Sequence, residues 1–369
     1  MFDGNDLLDG GFLALTRAVP GTDPVSRGRK GMLLHARLAR PDVGTTPFEI
    51  VFRQNKLELK FYAPKPPADG RVRRTPVVLV PSMINRAYIL DLEPDRSMVG
   101  ALAAMGHPTY LVDWGVPGPE DADQDTAVVV LDLLRRAVDR ACRHAGTQQA
   151  ILVGYCMGGT LATMFAALRP QRVAALVALA TPVKYREGGR FAAFCQPDVC
   201  SPEALVDEDG LVSTDVMGPA FKLLDPMGNW EKFIALEAVS GDAGELKRAL
   251  ARERWLEENV PVPGKVAVEF IRYGYQEDRL LAGAWMLRGE RVDLKQIRVP
   301  LYVTPCSKDF IAPPPACIPL AGAVGSTDVT LELQDTGHIG VVVGSFGIKR
   351  YFPKLDAWFR RVVPEGEGS

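Results

Sequence analysis

The amino-acid sequence predicts an α/β fold: a mostly parallel sheet with helices on both faces and a large inserted cap domain. Continuous apolar runs such as Val77–Val80 and Val173–Leu179 are typical of strands that are covered on both faces. Amphipathic helical patterns alternate with these runs, as they do in parallel sheets wound with helices. Between the strands near 173–180 and 301–304, about 120 residues break this alternation, and a segment of that length is too long to be a loop.

Composition and charge place the chain among ordinary globular proteins. It has 369 residues, of which 47% are hydrophobic and 24% are charged, and its net charge is -2. This charge gives no electrostatic reason to expect nucleic acid or an anionic membrane as a partner. No apolar run approaches the roughly 20 residues of a membrane span, and the first residues lack a signal-peptide pattern. We therefore expect a cytoplasmic protein without a transmembrane segment.

The six cysteines are scattered along the chain and form no CxxC pair. Cys195 and Cys200 are near enough in sequence for a disulfide or for half of a metal site. No second pair of ligands accompanies them, however, and the chain has only 4 histidines. We expect reduced thiols, no metal site and no cofactor.

The N-terminal half of the chain is predicted to contain an arm and the first part of the core. The arm, residues 1–48, is expected to lie over the core and to contain one helix. The first part of the core, residues 49–182, begins with two alternating strands around Asn55 and Lys56. After the strand at 77–80, the pattern predicts three further elements before the next buried strand: a helix over 96–105, a strand over 109–114 and an amphipathic helix over 126–144.

The interrupting segment is predicted to be a cap, residues 183–298, inserted over the carboxyl edge of the sheet, where open α/β sheets bind ligands. It combines aromatic residues with amphipathic helical patterns over 246–256 and 265–275. The second part of the core, residues 299–369, supplies the last strands and the last helix. Its predicted elements are strands at 301–304 and 329–333 and a helix over about 346–362.

The most informative stretch joins the apolar run Ile151, Leu152 and Val153 to the box GYCMGG at 154–159. A small-residue helical pattern follows, so the stretch predicts the strand–turn–helix of a nucleophile elbow, with a thiol, Cys156, in place of the usual hydroxyl.

The spacing of the box has a steric reason. The nucleophile of an elbow sits in a strained backbone conformation, and its neighbours two residues away, here Gly154 and Gly158, must lack side chains. The start of a helix also favours the thiolate form of Cys156. The alternative is a buried, inert cysteine in a glycine-containing turn.

A cysteine nucleophile needs a base, and position selects one of the four histidines. His35 lies in the arm, and both His107 and His144 lie at the amino end of the sheet. Only His338 follows a strand and precedes a helix at the edge where Cys156 is expected.

The base needs an acid to orient it, and Asp309 follows the strand at 301–304 on the same edge. The order Cys156, Asp309, His338 is the order of nucleophile, acid and base in α/β-hydrolases. Asp335 is a rival, but only three residues before His338 it is better placed to shape the turn. The alternative role for Asp309 is to cap the helix that follows it.

An oxyanion requires two hydrogen-bond donors. The N–H of Met157, directly after the nucleophile, is predicted as one of them. The other is expected from the loop at 81–86, where Ile84 and Met83 are both candidates that the sequence does not separate.

The thiol itself indicates a reaction class. Exchange between two thioesters is nearly neutral in free energy, so a cysteine acyl-enzyme stays reactive toward a weak alcohol nucleophile. This favours acyl transfer from a thioester donor, such as an acyl-CoA, to a hydroxyl group, provided that the cap excludes water.

On these residues the chain resembles the catalytic subunits of polyhydroxyalkanoate synthases, and most of all the short PhaC type of the two-subunit (class III) enzymes. The resemblance runs from about residue 46 to the C-terminus. Its motifs are VPSMINRAYILDL at 80–92, YLVDWG at 110–115, GYCMGG at 154–159, ATPV at 180–183, VDLK at 292–295 with the later Asp309, and GHIG at 337–340.

The resemblance implies a function and roles for the site residues. Members of this family polymerise (R)-3-hydroxyacyl-CoA, such as 3-hydroxybutyryl-CoA, into polyester and release CoA. Cys156 would carry the chain and His338 would act as base, with Asp309 assisting; in some accounts the aspartate activates the hydroxyl of the incoming unit. Family members work as dimers on granule surfaces, often with a non-catalytic PhaE-type partner.

Two features depart from the family pattern. A histidine usually follows the catalytic aspartate, and here that residue is Phe310. The N-terminal arm of about 45 residues matches nothing in the family. The change to Phe310 leaves open a divergent paralogue with another acyl acceptor. Two other functions also stay open: a cysteine hydrolase, either a thioesterase or an esterase like dienelactone hydrolase, and a non-catalytic granule-associated or scaffold protein.

Overall fold

A computed structural model describes residues 23–67 and 70–364, apart from the side chain of Asn229. Eight strands of this part form one sheet in the order β1-β2-β4-β3-β5-β6-β7-β8. Strand β2 pairs antiparallel with β1 and with β4, and the remaining neighbours pair parallel, so the sheet is mostly parallel as predicted. The strands are β1 (Glu49–Gln54), β2 (Leu57–Tyr62), β3 (Val77–Val80), β4 (Thr109–Asp113), β5 (Ala150–Tyr155), β6 (Val173–Leu179), β7 (Leu301–Thr304) and β8 (Val329–Leu331).

Helices and short two-stranded pairs surround the sheet. The α-helices of the described part are α1 (Pro24–Arg37), α2 (Met98–Ala104), α3 (Arg135–Ala145), α4 (Met157–Leu168), α5 (Gly189–Phe194), α6 (Thr214–Leu224), α7 (Gly228–Ala238), α8 (Ala243–Glu257), α9 (Gly264–Glu269), α10 (Pro314–Cys317), α11 (Leu320–Ala323), α12 (Gly340–Val343) and α13 (Phe352–Val362). π-helical segments adjoin α3, α9 and α13 at Val128–Leu134, Phe270–Gln276 and Gly347–Tyr351. Short 3-10 helices lie at Ala87–Leu90, Pro119–Asp121, Pro170–Arg172, Tyr185–Glu187, Pro202–Leu205 and Leu294–Gln296, and the strand pairs are Asp91–Glu93 with Arg96–Ser97, Leu211–Val212 with Val262–Pro263, and Met286–Leu287 with Glu290–Arg291.

The surroundings of strand β3 explain why all of its residues are apolar. All four are buried, and they alternate between two hydrophobic cores. Val78 and Val80 belong to the core that includes α3 and α4, whereas Val77 and Leu79 belong to the core that includes α2 and α13. Helices therefore cover both faces of the sheet, as the continuous apolar runs predicted.

Several turns and helices lie where the local sequence predicted them. Asn55, at the turn between β1 and β2, adopts φ 52°, a conformation that asparagine tolerates better than most residues. The predicted helix over 126–144 is present as the π-helical segment followed by α3. The predicted cap helices over 246–256 and 265–275 correspond to α8 and to α9 with its π-helical extension.

The N-terminal arm contains the expected helix, and the end of the arm contacts the core, where Val43 packs on a hydrophobic cluster and Gly44 N–H donates to the Asp91 carbonyl oxygen over 2.9 Å. Asp23 caps α1 by accepting hydrogen bonds from Val25 N and Ser26 N, both at 3.1 Å. The helix then packs against α7, in the predicted cap, rather than on the sheet. A side chain on Gly28 would collide with the Trp230 ring, and one on Gly31 with the Phe233 carbonyl, so these glycines allow the close approach. Residues 1–22 of the arm lie outside the described residues.

The predicted cap, residues 183–298, lies between β6 and β7 and contains α5 to α9. Part of it shares a core with the sheet, because Val266, Phe270 and Trp285 pack in the same cluster as Leu152 and Leu176. The division of the chain at 182/183 and 298/299 into core and cap stays a prediction.

Candidate active site

Cys156 occupies the turn between β5 and α4. Its backbone has φ 57° and ψ -130°, which is unusual for a residue with a side chain and is the strained conformation expected of an elbow. Met157, the next residue, begins α4, so the thiol lies at the positive end of the helix dipole. Cys156 is also partly accessible to solvent, unlike the buried Cys142, Cys195, Cys306 and Cys317.

Three glycines allow the turn to pack closely. A Cβ on Gly154 would lie 2.3 Å from the Gly159 Cα, and a Cβ on Gly158 would lie 2.1 Å from the Val80 carbonyl oxygen. A Cβ on Gly159 would lie 1.8 Å from the Thr181 Oγ1. The first two contacts agree with the steric reason predicted for these glycines. The role of Gly159 against Thr181 was missed, although the doubled glycine of the box was a signal for it.

Asp309 lies in the loop after β7 and is only 4% exposed. Its Oδ1 accepts hydrogen bonds from Ile311 N and Ala312 N, both at 2.8 Å. Its Oδ2 lies 2.6 Å from His338 Nδ1. Asp309 does not cap the helix that follows it, because α10 begins at Pro314 and its N-cap residue is Pro313. One carboxylate oxygen instead shapes the loop, and the other is left to orient the histidine.

His338 is 8% exposed and lies between Asp309 and Cys156. With Nδ1 directed at Asp309, the other ring nitrogen is left for the hydrogen bond with the Cys156 thiol. Burial alone lowers the pKa of His338, but the negative charges of Asp309 and Cys156 outweigh it and hold the pKa well above its usual value. The structure therefore brings together the three residues predicted as nucleophile, acid and base.

The other three histidines have partners elsewhere, in agreement with the elimination made from the sequence. His107 is buried with its Nε2 2.7 Å from Asp356, and His144 Nδ1 lies 2.7 Å from the Tyr110 hydroxyl. His35 Nε2 lies 3.3 Å from Glu257 in the cap.

Asp335, the rival acid, faces away from the histidine. Its exposed carboxylate accepts a hydrogen bond from Ser307 Oγ at 2.8 Å, and Lys308 Nζ lies 3.6 Å away. These contacts tie the loop after β7 to the loop after β8, which is the structural role considered for Asp335.

The candidate oxyanion donors lie on two adjacent segments. Met157 N–H belongs to the first turn of α4, where amide groups have no partner within the helix. Residues 81–86, which we call the β3 loop, pack against the same turn, because the Pro81 carbonyl would touch any side chain on Gly158. In the β3 loop, Ile84 N–H donates to Ser82 Oγ over 3.3 Å, which is long for such a bond. The choice between Ile84 and Met83 as second donor stays open.

Tyr155 makes a contact with His338 that sequence reasoning missed. It directly precedes the nucleophile, is fully buried, and its hydroxyl donates to the His338 carbonyl oxygen over 3.0 Å. The two rings also pack with centroids 5.2 Å apart. Tyrosine in the GYCMGG box was the available signal, but its partner 183 residues later could not be read from the sequence.

Aromatic residues of the predicted cap pack near the nucleophile. Tyr185 donates to Thr160 Oγ1, in the first turn of α4, over 2.8 Å, and its ring meets that of Tyr275 at a centroid distance of 4.9 Å. Burial raises the pKa of both tyrosines, and a charge on Cys156 raises it further. Buried aromatic side chains of the predicted cap therefore border the start of α4.

Within residues 23–67 and 70–364, no group of three or more histidine, cysteine, aspartate or glutamate side chains could hold a metal ion. No helix in this same part of the chain is long and apolar enough to cross a membrane.

Comparison with known proteins bears on both the fold and the family. Residues 75–344 match the model of the alpha/beta hydrolase fold, and residues 39–102 match that of the poly-beta-hydroxybutyrate polymerase (PhaC) N-terminus. A monoglyceride lipase from Saccharomyces cerevisiae has a TM-score of 0.53 at 14% identity, covering 88% of this chain and 97% of the lipase. A monoacylglycerol lipase from Paleococcus ferrophilus has a TM-score of 0.51, also at 14% identity, covering 83% of this chain and 99% of the lipase. At such identities these two structures show the fold alone.

Several relatives are called poly(3-hydroxyalkanoate) polymerase subunit PhaC. Those from Haloferax mediterranei and Haloarcula marismortui are 33% and 32% identical to this chain over 86% of its length, and the chain spans 64% and 68% of them. The one from Allochromatium vinosum is 29% identical over 86% of this chain and 89% of its own length. The resemblance inferred from the motifs is thus confirmed, and the chain belongs to the PhaC family of poly(3-hydroxyalkanoate) polymerase subunits, built on the alpha/beta hydrolase fold.

Proposed function

We propose that this protein polymerises (R)-3-hydroxyacyl-CoA, such as 3-hydroxybutyryl-CoA, into polyhydroxyalkanoate with release of CoA. The observation that carries the proposal is the contact of His338 with both Asp309 and Cys156, in a chain whose relatives are named as polymerases. A thiol, a buried imidazole and an oriented carboxylate together make an activated nucleophile for acyl transfer.

In the first step, Cys156 becomes acylated. His338 takes the thiol proton, and the thiolate attacks the thioester carbonyl of the substrate. The resulting oxyanion would be stabilised by the N–H of Met157 and by a donor of the β3 loop, with Ile84 as our candidate. Collapse of the intermediate breaks the bond to the CoA sulfur, which leaves as a thiol after taking the proton from His338.

In the second step, the hydroxyl of another hydroxyacyl-CoA attacks the acyl-enzyme. His338 accepts the hydroxyl proton and returns it to the Cys156 sulfur, so that an ester forms and the thiol is regenerated. The lengthened chain is still a CoA thioester, and attack by Cys156 on that thioester releases CoA and reloads the enzyme. Asp309, at 2.6 Å from His338 Nδ1, holds the imidazole in the orientation that both steps require.

Polymerisation competes with hydrolysis, so the site has to favour a hydroxyl over water. The packing of Tyr185 and Tyr275 beside the elbow supports this selectivity, because buried aromatic rings exclude water from one side of the thiol. Phe310 is 47% exposed and takes the position of the usual histidine without displacing Asp309 or His338.

We also propose that the enzyme works as a homodimer, with a PhaE-type companion subunit, at the surface of the polyester granule in the cytoplasm. The word "subunit" in the names of the relatives supports a companion chain. Exposed large apolar side chains of the cap, namely Phe194, Val199, Leu223 and Met227, support contact with an apolar surface.

The test is incubation of the protein with (R)-3-hydroxybutyryl-CoA, with and without a PhaE-type subunit, while free CoA and product mass are followed together. Release of CoA with growing polyester attached to Cys156 is the expected result. Release of CoA with only free 3-hydroxybutyrate would instead identify a thioesterase, and Phe310→His would then be the first variant to make. No release in either preparation would overturn the proposal and favour the non-catalytic granule protein.

A further inference from the structure

Residues of the predicted cap form hydrogen bonds with several successive residues in and just after the β3 loop. Trp255 Nε1, near the end of α8, donates to the Arg86 carbonyl oxygen over 2.8 Å. Beyond the loop, the Tyr88 hydroxyl donates to Glu258 over 2.9 Å. Trp255 is only 5% exposed, so this contact is shielded from water.

Two further cap residues, Asn259 and Val260, contact the candidate oxyanion donor Ile84 and its neighbour Asn85. Val260 N–H donates to the Ile84 carbonyl oxygen over 2.9 Å, and Asn85 and Asn259 form an antiparallel bridge. The Asn85 side-chain amide also donates to Asn259 Oδ1. Residues 259–260 therefore hold Ile84 and Asn85 as a neighbouring strand would.

The other end of the β3 loop is attached to the core. Trp114 Nε1 donates to the Pro81 carbonyl oxygen over 3.0 Å, and Pro81 packs on the start of α4 beside Gly158. Between these two anchors lie Ser82, Met83 and Ile84. The direction of their N–H groups thus depends on the core anchor at Pro81 and on the cap anchor at Asn85.

Oxyanion donors act by being oriented before the reaction begins, and small displacements weaken them strongly. We propose that Asn259 is a positioning residue for acyl transfer, which acts through Asn85 to hold the β3 loop where its N–H group meets the oxyanion. The proposal rests on the proposed function, in that it concerns acylation of Cys156. It gives a cap residue a role in the reaction in addition to those of Cys156, Asp309 and His338.

Two reactions of the same thiol test this role. Acylation of Cys156, measured as the burst of nitrophenol from p-nitrophenyl butanoate and as CoA release from (R)-3-hydroxybutyryl-CoA, passes through an oxyanion. Alkylation of Cys156 by iodoacetamide is a displacement at carbon that forms no oxyanion. It reports only on the thiolate and on access to it.

Asn259→Ala is expected to slow acylation roughly tenfold to a hundredfold, with the alkylation rate unchanged. Asn259→Asp keeps an oxygen that accepts from the Asn85 amide, so it should retain most of the acylation rate. Asn85→Ala removes the same contact from the core side and should reproduce the effect of Asn259→Ala. Lys265→Ala, which breaks the exposed ion pair of the cap with Asp123, is the matched control and should leave both rates unchanged.

Three results would overturn the proposal: unchanged acylation in Asn259→Ala, an equal loss of acylation and alkylation, or an Asp variant as slow as the Ala variant. The two substrates separate this proposal from the proposed function. If the wild-type protein is acylated by the ester but not by the CoA thioester, the polymerase function fails. The rates of acylation by p-nitrophenyl butanoate in wild type and in the Asn259 variants would still decide the role of Asn259.

Discussion

The Tyr155 hydroxyl donates a hydrogen bond to the His338 carbonyl oxygen over 3.0 Å, and this bond ties the base to the strand that carries the nucleophile. Tyr155 is the residue before Cys156, whereas His338 lies in the loop after β8. Two parts of the site that are distant in sequence are thus fixed to each other by one buried bond.

Tyr155→Phe is expected to remove this bond while keeping the ring that packs on His338. The buried His338 carbonyl would lose a partner, so we expect a loss of about 1 kcal/mol in the free energy of unfolding and a fall in turnover of roughly threefold to tenfold. Denaturant titration and steady-state kinetics measure the two effects. Tyr351→Phe is the control, because it also removes a buried hydroxyl contact, with Thr304 at 2.9 Å, and should lower stability without lowering turnover. Equal turnover in the two variants would contradict the role of Tyr155.

Cys156→Ala is expected to abolish turnover, by at least about a thousandfold, while leaving the fold intact. Cys156→Ser should also lose most of its rate, since an alkoxide is far harder to generate than a thiolate. CoA release and circular dichroism report on activity and fold. Cys142→Ala, which removes a buried free thiol in α3, should retain turnover. Turnover retained in Cys156→Ala would disprove the assignment of the nucleophile.

Gly158→Ala is expected to disrupt the contact between the elbow and the β3 loop. Its Cβ would lie 2.1 Å from the Val80 carbonyl oxygen, in β3, and 2.3 Å from that of Pro81, which the Trp114 side chain holds, so neither atom can move away easily. We expect a loss of about 1–3 kcal/mol in the free energy of unfolding, together with a loss of turnover. Gly322→Ala, with no atom within 4 Å of its Cβ, should instead be neutral or slightly stabilising in thermal unfolding. Similar melting temperatures for the two variants would show that the elbow is less tightly packed than these distances indicate.

The sheet and the three residues Cys156, Asp309 and His338 could be predicted because their signals are local. Apolar runs indicate buried strands, and each of the three residues follows a strand that ends at the same edge of the sheet. The GYCMGG box adds a steric pattern that few other structures require. These signals need no knowledge of which residues meet across the fold.

Contacts between distant segments could not be predicted in the same way. The docking of α1 on α7 depends on Gly28 meeting Trp230, some 200 residues later in the chain. The bridge between Asn85 and Asn259 and the bond between Tyr155 and His338 also join residues far apart in sequence. Each partner is an ordinary residue in its own surroundings, so only the folded structure gives it a role.

The raised pKa of His338 predicts a pH dependence of stability. Its pKa in the unfolded chain is about 6.5, and Asp309 and Cys156 raise it in the folded protein. The resulting stabilisation is fully present below about pH 6.5 and is lost as the pH rises through the folded-state pKa, because the unfolded chain releases its proton first. Asp309→Asn should weaken this dependence by removing one of the negative charges that raise the pKa.

Denaturant titrations between about pH 6 and pH 9 measure this effect as a difference between wild type and Asp309→Asn. The wild type should lose more stability over that range than the variant. Asp335→Asn is the control, since neighbouring groups lower the pKa of this exposed carboxylate and it stays ionised throughout the range. The same slope in wild type and Asp309→Asn would show that Asp309 does not raise the pKa of His338.

The docking of α1 on the cap predicts the effect of Gly31→Ala. A Cβ at this position would lie 1.7 Å from the Phe233 carbonyl oxygen, so α1 and α7 would have to separate. Amide hydrogen exchange should then become at least about tenfold faster in 24–37 and 228–238, while the strands of the sheet keep their protection. Lys30→Ala changes the preceding, exposed residue and should leave exchange in both helices unchanged. Unchanged exchange in Gly31→Ala would disprove the close packing of the arm helix on the cap.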